Sequence, residues 1–348
     1  MKKVGILTLP FEPNYGWILQ LWALYSFLRE NGYEPVVIDR RWNCHTNSLI
    51  YKLKRFIYNN VLCRNFTLFF NEKFVRTSEI RCSKEMKKLE FDSYIVGSDQ
   101  VWRIENTRGA DLNYFFDFLD SNNKSKKIAY AASFGTDEWK GNDKETKRIK
   151  ILLKDFDLVS VREDSGITLC RELFDISAHC LLDPTLLIKP DNYMQLIKKK
   201  SIRNFIATYF LDYTQEKKIF IDYVSKTEKL SVKDLYKKNK TKIFYYRKIE
   251  NWLQTIYYAN YVIVDSFHGM CFSIIFQKQF LVVANKKRGL TRFTSLLNML
   301  GLSDRLVYNL TTEKINILKE KIDYKLVNTK IEKQRELSEK LLFSVLTK

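Results

Sequence analysis

One histidine lies where an apolar stretch gives way to polar residues, and it is the side chain best placed to do chemistry. The sequence 261–264 is typical of a buried strand, 265–269 reads Asp-Ser-Phe-His-Gly, and an apolar helix is predicted from Met270. Backbone N–H groups at the start of a helix bind anions, so a phosphate or carboxylate would rest beside the imidazole. We therefore predict that His268 is catalytic and that Ser266 and Gly269 contact the anion. The alternative is a histidine that caps its own loop.

A second group of polar side chains follows the strand predicted at 93–96. Ser98, Asp99 and Gln100 are able to hydrogen-bond to hydroxyl groups, and Trp102 offers a flat apolar face of the kind on which sugar rings lie. The pattern predicts a sugar-binding group here, with a tryptophan in the core as the competing interpretation of Trp102.

Arginines at strand ends are candidates for binding an anion. Arg162 comes where a predicted strand meets a helix, and an arginine there can fork onto a carboxylate or phosphate. The alternative is a structural ion pair with Glu163 or Asp164. Arg288 and Arg292 add positive charge after a later predicted strand.

The turn between the first predicted strand and its helix reads Asn14-Tyr15-Gly16. Gly16 allows close backbone approach, and the helix start favours a hydroxyl or an anion, so we predict a substrate contact here. The turn is neither a G-x-G-x-x-G nor a Walker loop, which disfavours dinucleotide and nucleoside triphosphate binding.

The elements that would position these groups alternate between strands and helices. Short apolar strands of this kind, buried on both faces, suit parallel sheets covered by helices. We predict an α/β protein with two doubly wound Rossmann-like domains facing a cleft, in which ligands bind beyond the carboxyl ends of the strands. Strands are predicted at 3–9, 34–39, 93–96, 127–132, 158–161, 205–210, 242–246, 261–265 and 280–284, and helices at 17–30, 251–259 and 270–276.

A change of pattern marks the domain boundary. It falls near Leu181-Leu182-Asp183-Pro184 and is followed by a hinge-like Lys189-Pro190-Asp191. We predict one domain at 1–187, a second at 188–311 and a helical tail at 312–348.

Composition narrows the class of protein. The chain has 348 residues and a formal charge of +19, which biases encounters toward anions, although lysines spread over solvated faces would give the same charge. Six scattered cysteines without a C-x-x-C pair favour a reducing cytoplasm, and three histidines without H-x-x-x-H spacing predict no bound metal. No stretch approaches the roughly 20 uncharged apolar residues of a membrane-spanning helix, so we expect a soluble or peripheral protein.

The stretch 51–81 interleaves basic and aromatic residues. This pattern predicts contact with a membrane surface, and the alternative is an amphipathic pair of helices with its aromatic residues in the core. Its basic residues are Lys52, Lys54, Arg55, Arg64, Lys73, Arg76 and Arg81, and its aromatic residues include Phe56, Tyr58, Phe66, Phe69, Phe70 and Phe74.

The motifs, taken together and in this order, resemble the polysaccharide pyruvyl transferase family over about residues 3–301. Leu182-Asp183-Pro184-Thr185 resembles the linker of that family, and Arg288-Gly289-Leu290 with Arg292 resembles its late loop. The central motifs are Asn14-Tyr15-Gly16 with Leu19-Gln20, Gly97-Ser98-Asp99-Gln100-Val101-Trp102, Ser160-Val161-Arg162-Glu163 and Asp265-Ser266-Phe267-His268-Gly269.

The resemblance implies a glycosyltransferase-B-like fold and a reaction that moves the enolpyruvyl-derived unit of phosphoenolpyruvate onto a sugar as a pyruvate ketal. Phosphoenolpyruvate is then a co-substrate, and no other cofactor is expected. The active-site histidine of the family maps onto His268, and a donor-binding arginine resembles Arg162. Ketal formation also needs a base for the sugar hydroxyls, and Asp99 is the second catalytic candidate for that role. Some branches have an arginine two residues before the histidine, where this chain has Ser266. That difference leaves one anion contact open to Arg288 or Arg292.

The resemblance also implies partners and a location. The acceptor would be a saccharide, often linked to polyprenyl diphosphate at the inner leaflet, in capsule or exopolysaccharide synthesis. We therefore expect a cytoplasmic enzyme, peripheral at an anionic membrane, with the acceptor on the N-terminal domain and the donor on the C-terminal one. The expected donor contacts are Arg162, Ser266, Gly269, Arg288 and Arg292, and the expected acceptor contacts are Asn14, Tyr15, Gly16, Ser98, Gln100 and Trp102.

Two other functions compete with this interpretation. A nucleotide-sugar glycosyltransferase of the same architecture would use the late arginines to hold a diphosphate. A non-catalytic basic protein would bind nucleic acid or membranes through charge alone. Polar residues that gather at strand ends, and do not form one basic face, disfavour the second function, and we expect no nucleic acid partner.

Overall fold

The chain forms two compact units. The computed structural model describes residues 1–42, 56–197, 204–236, 246–285 and 289–347, with their side chains except those of 59 and 60. The first unit consists of Met1–Asn47, Asn71–Ile188 and Glu332–Lys348, and the second of Ser48–Phe70 and Lys189–Ile331. The division after residue 188 lies beside the boundary predicted after 187.

The segment predicted as a helical tail is divided between the units. Residues 312–331 belong to the second unit and 332–348 to the first. The part of the last helix after residue 331 packs in the first unit, where Phe343 stacks on Phe27 and Tyr33 and where Leu342 and Leu346 are fully buried. The helical character predicted for this segment is present from Tyr324 to Leu346.

Strands and helices alternate through both units. Within the described residues the strands are β1 (Lys3–Leu7), β2 (Glu34–Val37), β3 (Ser93–Gly97), β4 (Lys126–Ala132), β5 (Leu158–Val161), β6 (His179–Cys180), β7 (Phe205–Tyr209), β8 (Ser231–Asp234), β9 (Tyr261–Val264), β10 (Gln279–Val283) and β11 (Leu306–Val307). The α-helices are α1 (Tyr15–Glu30), α2 (Arg64–Lys73), α3 (Ser83–Met86), α4 (Ile104–Thr107), α5 (Asp143–Leu153), α6 (Asp164–Phe174), α7 (Pro184–Leu187), α8 (Pro190–Met194), α9 (Gln215–Glu228), α10 (Ile249–Tyr258), α11 (Phe267–Ile275), α12 (Thr291–Leu300), α13 (Lys314–Lys319) and α14 (Tyr324–Leu346), and a π-helix spans Tyr58–Leu62.

The sheet of the first unit is parallel, in the order β2-β1-β3-β4-β5-β6. Every residue of β3 is buried, as expected for a parallel sheet covered on both faces. Strand β1 has β2 on one side and β3 on the other, so the connections diverge between β1 and β3. Ligands of doubly wound sheets bind at such a switch point, and here the loops that follow the two strands carry Asn14 and Asp99.

The sheet of the second unit repeats this plan. Its strands are parallel in the order β11-β10-β9-β7-β8, and the switch point lies between β7 and β9. The loops that follow these two strands carry Asp212 and Asp265. The prediction of an α/β protein with two Rossmann-like parallel sheets is confirmed.

Each sheet has its own apolar core. Most residues of both cores are non-aromatic, and the first core also contains a group of aromatic rings. The first core includes Tyr94, Trp102, Phe115, Phe116, Phe118, Phe134 and Phe174, and the second includes Ile206, Phe210, Phe220, Val224, Ile263, Leu281 and Val307.

The predicted elements differ from the structure at strand β8 and at the start of helix α11, and the strand predicted at 242–246 lies almost entirely outside the described residues. Edge strand β8 is mostly exposed and contains Lys233 and Asp234, so it lacks the apolar run that identifies a buried strand. Of the strand predicted at 242–246, only Tyr246 lies within the described residues, and it is not in a strand. Helix α11 begins at Phe267, three residues before the predicted start, because Ser266 caps it.

Candidate active site

In the second unit, Asp265 joins the loops at the switch point. Its Oδ1 accepts a hydrogen bond from the N–H of Leu211 at 2.6 Å, and its Oδ2 accepts one from the N–H of Asp212 at 3.1 Å. Because this carboxylate accepts hydrogen bonds from two backbone N–H groups of the loop after β7, it holds that loop against the loop after β9. The fixed position matters because the next residues of the β9 loop lead to His268.

Lys217 neutralises the Asp265 carboxylate. Its Nζ lies 2.6 Å from Asp265 Oδ2 and donates to the carbonyl oxygen of Asp212, also at 2.6 Å. The two charged side chains are 7% and 0% exposed, and the ammonium lies 5.0 Å from the centre of the Phe210 ring. Asn285, after β10, donates to the Asp212 carboxylate. Polar contacts thus tie together the ends of three neighbouring strands.

His268 occupies the first turn of α11 and is 9% exposed. Ser266 is the N-cap of this helix, and its Oγ accepts a hydrogen bond from the N–H of Gly269 at 3.0 Å. A Cβ at Gly269 would lie 2.6 Å from Ser266 Oγ and 3.0 Å from Val264 Cγ1, so only glycine fits between the cap and β9. The sequence Ser-Phe-His-Gly therefore begins the helix tightly and places the imidazole beside the switch point.

This cap engages the backbone N–H of Gly269, because the Ser266 hydroxyl oxygen accepts it. The Ser266 hydroxyl keeps its own hydrogen to donate, so its predicted contact with the donor stays a prediction. Both residues also fix the start of the helix that carries His268.

Arg292 lies near the same helix start. It is 6% exposed in the first turn of α12, and its guanidinium carbon lies 5.7 Å from the centre of the Phe267 ring. Phe267 precedes His268 and also contacts Phe293 edge-on. A cation beside this helix start suits anion binding, so the donor role of Arg292 stays a prediction. Arg288 lies outside the described residues.

In the first unit, Arg162 at the end of β5 is held by two carboxylates. Its Nη1 lies 2.6 Å from Asp183 Oδ2, and its Nη2 lies 3.4 Å from Asp99 Oδ1. The arginine side chain is 1% exposed. Burial lowers the pKa of Arg162 and is the largest single influence, but Asp183, Asp99 and Glu163 together raise it above its ordinary value. The guanidinium therefore remains charged.

These contacts correct the prediction that Arg162 clamps a donor anion. Both terminal nitrogens face carboxylates, and the side chain is sealed from solvent. The ion-pair alternative was right in kind, but the partners are Asp183 and Asp99, not the neighbouring Glu163 or Asp164. Arg162 holds the Asp99 carboxylate in place. Among Arg162, Asp183 and Asp99, only Asp99 has access to solvent, and its side chain is 12% exposed.

Ser98 belongs to the buried support of this group. It is fully buried, its Oγ donates to the carbonyl of Ala131 at 2.8 Å, and its N–H donates to Gln20 Oε1 at 3.1 Å. Gln20 in turn donates to Thr8 at 3.3 Å. The acceptor role predicted for Ser98 is therefore wrong, because a fully buried hydroxyl bonded to the backbone cannot meet a sugar.

Trp102 is a core residue. It is fully buried, stacks on Phe115 with ring centres 5.4 Å apart, and donates from Nε1 to the carbonyl of Tyr114 at 3.0 Å. The prediction that Trp102 offers a face to a sugar is wrong for this reason. Gln100 is half-buried beside it and accepts a hydrogen bond from Arg103 at 3.2 Å, so its acceptor role stays open.

The turn after β1 is capped by its own asparagine. Asn14 Oδ1 accepts hydrogen bonds from the N–H groups of Gly16 at 2.9 Å and Trp17 at 3.3 Å. Tyr15 and Gly16 are buried, and Asn14 is exposed. The side chain of Asn14 thus occupies the helix start to which we had assigned a ligand. Asn14 itself is the member of this turn that a substrate can reach.

A comparison with protein-family models identifies the chain. Residues 14–287 match the model described as polysaccharide pyruvyl transferase, and this range includes both switch points and His268. The chain belongs to the polysaccharide pyruvyl transferase family. A comparison with curated proteins found no significant match.

Solved structures resemble this pyruvyl transferase in fold. The MnaA–UDP structure from S. aureus has a TM-score of 0.53 and 11% identity, over 100% of this chain and 97% of that one. UDP-N-acetylglucosamine 2-epimerase from Rickettsia bellii has a TM-score of 0.51 and 11% identity, over 100% of both chains. An α-glucosyltransferase in complex with UDP has a TM-score of 0.50 and 10% identity, again over 100% of both. At these identities the likeness shows the GT-B-like fold class alone.

Several residues of the pyruvyl transferase that support the candidate site were missed in the sequence. Lys217, Asp212 and Asn285 lie on elements that do not carry the motifs, so no local pattern signals their contacts with Asp265. Glu163 was named only as a partner for Arg162. Its Oε1 instead accepts hydrogen bonds from the N–H groups of Phe134 at 2.7 Å and Gly135 at 3.2 Å, and from Ser133 Oγ at 3.0 Å.

Glu12, in the loop after β1, is a second carboxylate near Asp99. Partial burial and then the charge of Asp99 raise the pKa of Glu12 above its ordinary value. Neighbouring carboxylates are a common acid–base arrangement. Glu12 differs from other acidic residues only in lying close to Asp99, and the sequence does not reveal that proximity.

Among the described residues of the pyruvyl transferase, no group of three or more His, Cys, Asp or Glu side chains is placed to hold a metal ion. None of the described helices is long and apolar enough to cross a membrane.

Proposed function

We propose that this protein transfers the three-carbon unit of phosphoenolpyruvate to two hydroxyl groups of a sugar and forms a pyruvate ketal. The proposal rests mainly on the family match over residues 14–287, which includes a histidine at the switch point of the second sheet. The family favours this reaction over the alternative of a nucleotide-sugar glycosyltransferase. Fold alone would not distinguish the two.

The proposed reaction has a simple atom balance. A proton adds to the methylene carbon of phosphoenolpyruvate, which becomes the methyl group and leaves an oxocarbenium-like centre at the neighbouring carbon. The two sugar hydroxyls attack that carbon and lose their protons, and the C–O bond to phosphate breaks. The products are the ketal and inorganic phosphate, so no oxidant, reductant or nucleotide is required.

His268 is the proposed acid or phosphate contact. Protonated imidazole can deliver a proton to the methylene carbon or stabilise the departing phosphate, and either role is worth about 10²- to 10⁴-fold in rate. Its place in the first turn of α11 supports both roles, because a helix N-terminus favours anions. Arg292, beside Phe267, is the proposed additional cation for the donor, and Arg288 is a further candidate.

Asp99 is the proposed base for the sugar. Its carboxylate is the partly accessible end of the Arg162 ion pair, and its backbone is fixed because its carbonyl accepts the N–H of Ser133 at 3.0 Å. A carboxylate held by a buried arginine keeps its orientation, which general-base catalysis needs. Asn14 and Gln100 are the accessible polar neighbours proposed to contact the acceptor.

The proposed acceptor is a saccharide linked to polyprenyl diphosphate, used for surface or capsular polysaccharide. The enzyme would then work in the cytoplasm at the inner face of the plasma membrane. The formal charge of +19 supports encounters with a phosphate donor, a diphosphate carrier and anionic lipid.

A donor screen tests the proposed function. Purified protein is incubated with a saccharide panel and either phosphoenolpyruvate or nucleotide sugars, and the products are weighed by mass spectrometry. We expect a mass gain of pyruvic acid less water, with equimolar phosphate, only with phosphoenolpyruvate. Glycosyl transfer from a nucleotide sugar, with no reaction of phosphoenolpyruvate, would support the alternative.

A further inference from the structure

Large apolar side chains are exposed on a short helical stretch of the second unit. Between residues 56 and 68, Phe56, Ile57, Tyr58, Val61 and Leu68 range from 42% exposed at Leu68 to 63% at Phe56. The stretch includes the π-helix and the first half of α2. Exposed apolar residues scattered singly need no explanation, but a group of this density marks an interaction surface.

The opposite side of this stretch is firmly packed. Cys63 and Phe66 are fully buried, and Phe66 meets the Tyr246 ring edge-on with centres 5.4 Å apart. Asn65 Nδ2 donates to the carbonyl of Tyr246 at 2.7 Å. The stretch is therefore anchored through one side and exposes the other. Of its aromatic residues, Phe66 packs in the core, whereas Phe56 and Tyr58 are exposed.

The exposed face also carries positive charge. Arg64 is exposed and lies one helical turn before Leu68 in α2. The sequence 48–70, which belongs to the second unit, contains no Asp or Glu and four basic residues, Lys52, Lys54, Arg55 and Arg64; exposed Glu72 is the first acidic residue after it. Exposed apolar side chains in a basic segment match the boundary between acyl chains and anionic headgroups.

We propose that Ile57, Val61, Arg64 and Leu68, together with Phe56 and Tyr58, form a docking surface for an anionic lipid bilayer. The apolar side chains enter the headgroup region, and Arg64 contacts lipid phosphate. The benefit of docking rests on the proposed function, since an acceptor on a lipid carrier is met at that surface. The binding itself requires no turnover.

Vesicle binding by the full chain tests the surface. Vesicles of phosphatidylcholine alone, or mixed with phosphatidylglycerol, are sedimented with wild type and with a variant that combines Ile57→Ser, Val61→Ser and Leu68→Ser. The matched control combines Tyr213→Ser, Ile219→Ser and Tyr308→Ser, three side chains of the same unit that are 57%, 61% and 60% exposed. We expect wild type and control to bind the anionic vesicles and the test variant to lose at least about tenfold in partitioning.

A charge variant measures the electrostatic contribution to vesicle binding. Arg64→Gln should weaken binding to anionic vesicles and reduce its salt dependence, whereas Lys226→Gln, at an exposed site on α9, should not. Circular dichroism verifies that the variants fold. If the triple variant does not fold, Val61→Asp replaces it as the test variant. The proposal would be overturned if wild type did not bind anionic vesicles, or if the test variant bound them as wild type does.

Two parallel measurements keep the outcomes distinct. If light scattering shows self-association that the test variant abolishes while its vesicle binding persists, the surface joins protein copies and the lipid proposal is wrong. Ketal formation from phosphoenolpyruvate on a water-soluble saccharide is assayed alongside. Turnover without vesicle binding rejects only the docking surface, and vesicle binding without turnover rejects only the proposed function.

Discussion

Arg162 Nη1 lies 2.6 Å from Asp183 Oδ2, and both side chains are almost completely buried. The pair joins the end of β5 to the segment that leads into α7, and it leaves the second terminal nitrogen directed at Asp99. Asp183 also accepts hydrogen bonds from the N–H of Thr185 at 3.0 Å and from its hydroxyl at 2.7 Å. The arginine is therefore a fixed part of the protein that acts through Asp99.

Arg162→Gln should destabilise the first unit. Removal of one partner leaves a buried carboxylate without its cation, which costs about 3–5 kcal/mol in the free energy of unfolding. Arg171→Gln is the control, since Arg171 and Glu172 are 71% and 61% exposed and such pairs contribute about 0–1 kcal/mol. Denaturant unfolding measures both, and equal small losses would show that Arg162 is not a buried structural cation.

Lys217→Met should lower kcat, and it should also destabilise the second unit because the buried Asp265 carboxylate loses its cation. Without the ammonium, Asp265 loses its counter-ion and the loops that lead to His268 shift, and a displacement of about 1 Å at a reacting group can cost about 10²-fold. Lys218→Met, at the exposed next position of α9, should keep the wild-type rate. Phosphate release from phosphoenolpyruvate is the assay. Equal rates for the two variants would show that Lys217 does not help to position His268. If Lys217→Arg restores the rate, the positive charge is what positions it.

Glu12 should titrate above its ordinary value of 4.5, because burial and Asp99 both raise its pKa. A raised pKa means that the folded protein holds the proton more tightly, so the stability from Glu12 is complete below 4.5 and is lost as the pH rises through the folded pKa. Glu12→Gln should therefore gain stability over wild type toward neutral pH. Carboxyl NMR should show that Asp99→Asn lowers the pKa of Glu12, and an unchanged pKa would mean that the two carboxylates do not interact.

Trp102→Phe should affect stability and not acceptor binding. Its indole fills the core and bonds to the Tyr114 carbonyl, so we expect a loss of about 1–3 kcal/mol in the free energy of unfolding. The KM for the saccharide should remain that of wild type. A raised KM with unchanged stability would restore Trp102 as a sugar platform.

The fold could be predicted from the sequence because its strands are short apolar runs with polar ends. Strands β1, β3, β4, β5, β7, β9 and β10 all carry this signal. Strand β8 does not, since an exposed edge strand has no buried face to pattern. The C-terminal helix was recognised as helical, but the place of its second half in the first unit depends on the contact of Phe343 with Phe27, residues 316 positions apart.

Motif position predicted that His268 and Asp99 each follow the carboxyl end of a parallel strand, in separate sheets, and their catalytic roles stay predictions. It could not distinguish a side chain that meets substrate from one that supports it. Ser98, Arg162 and Trp102 lie within a few residues of Asp99 or at the same edge, yet burial assigns all three to support. Burial is decided by elements distant in sequence.

The most direct test of the account measures ketal formation from phosphoenolpyruvate in deuterated water by wild type, His268→Ala and His179→Ala. His179 is an exposed histidine in β6 and serves as the control. We predict one solvent-derived deuterium in the ketal methyl group, a rate loss of about 10²- to 10⁴-fold in His268→Ala, and a wild-type rate in His179→Ala. Full turnover by His268→Ala, or a wild-type enzyme that forms no ketal from phosphoenolpyruvate on any saccharide, would contradict the account.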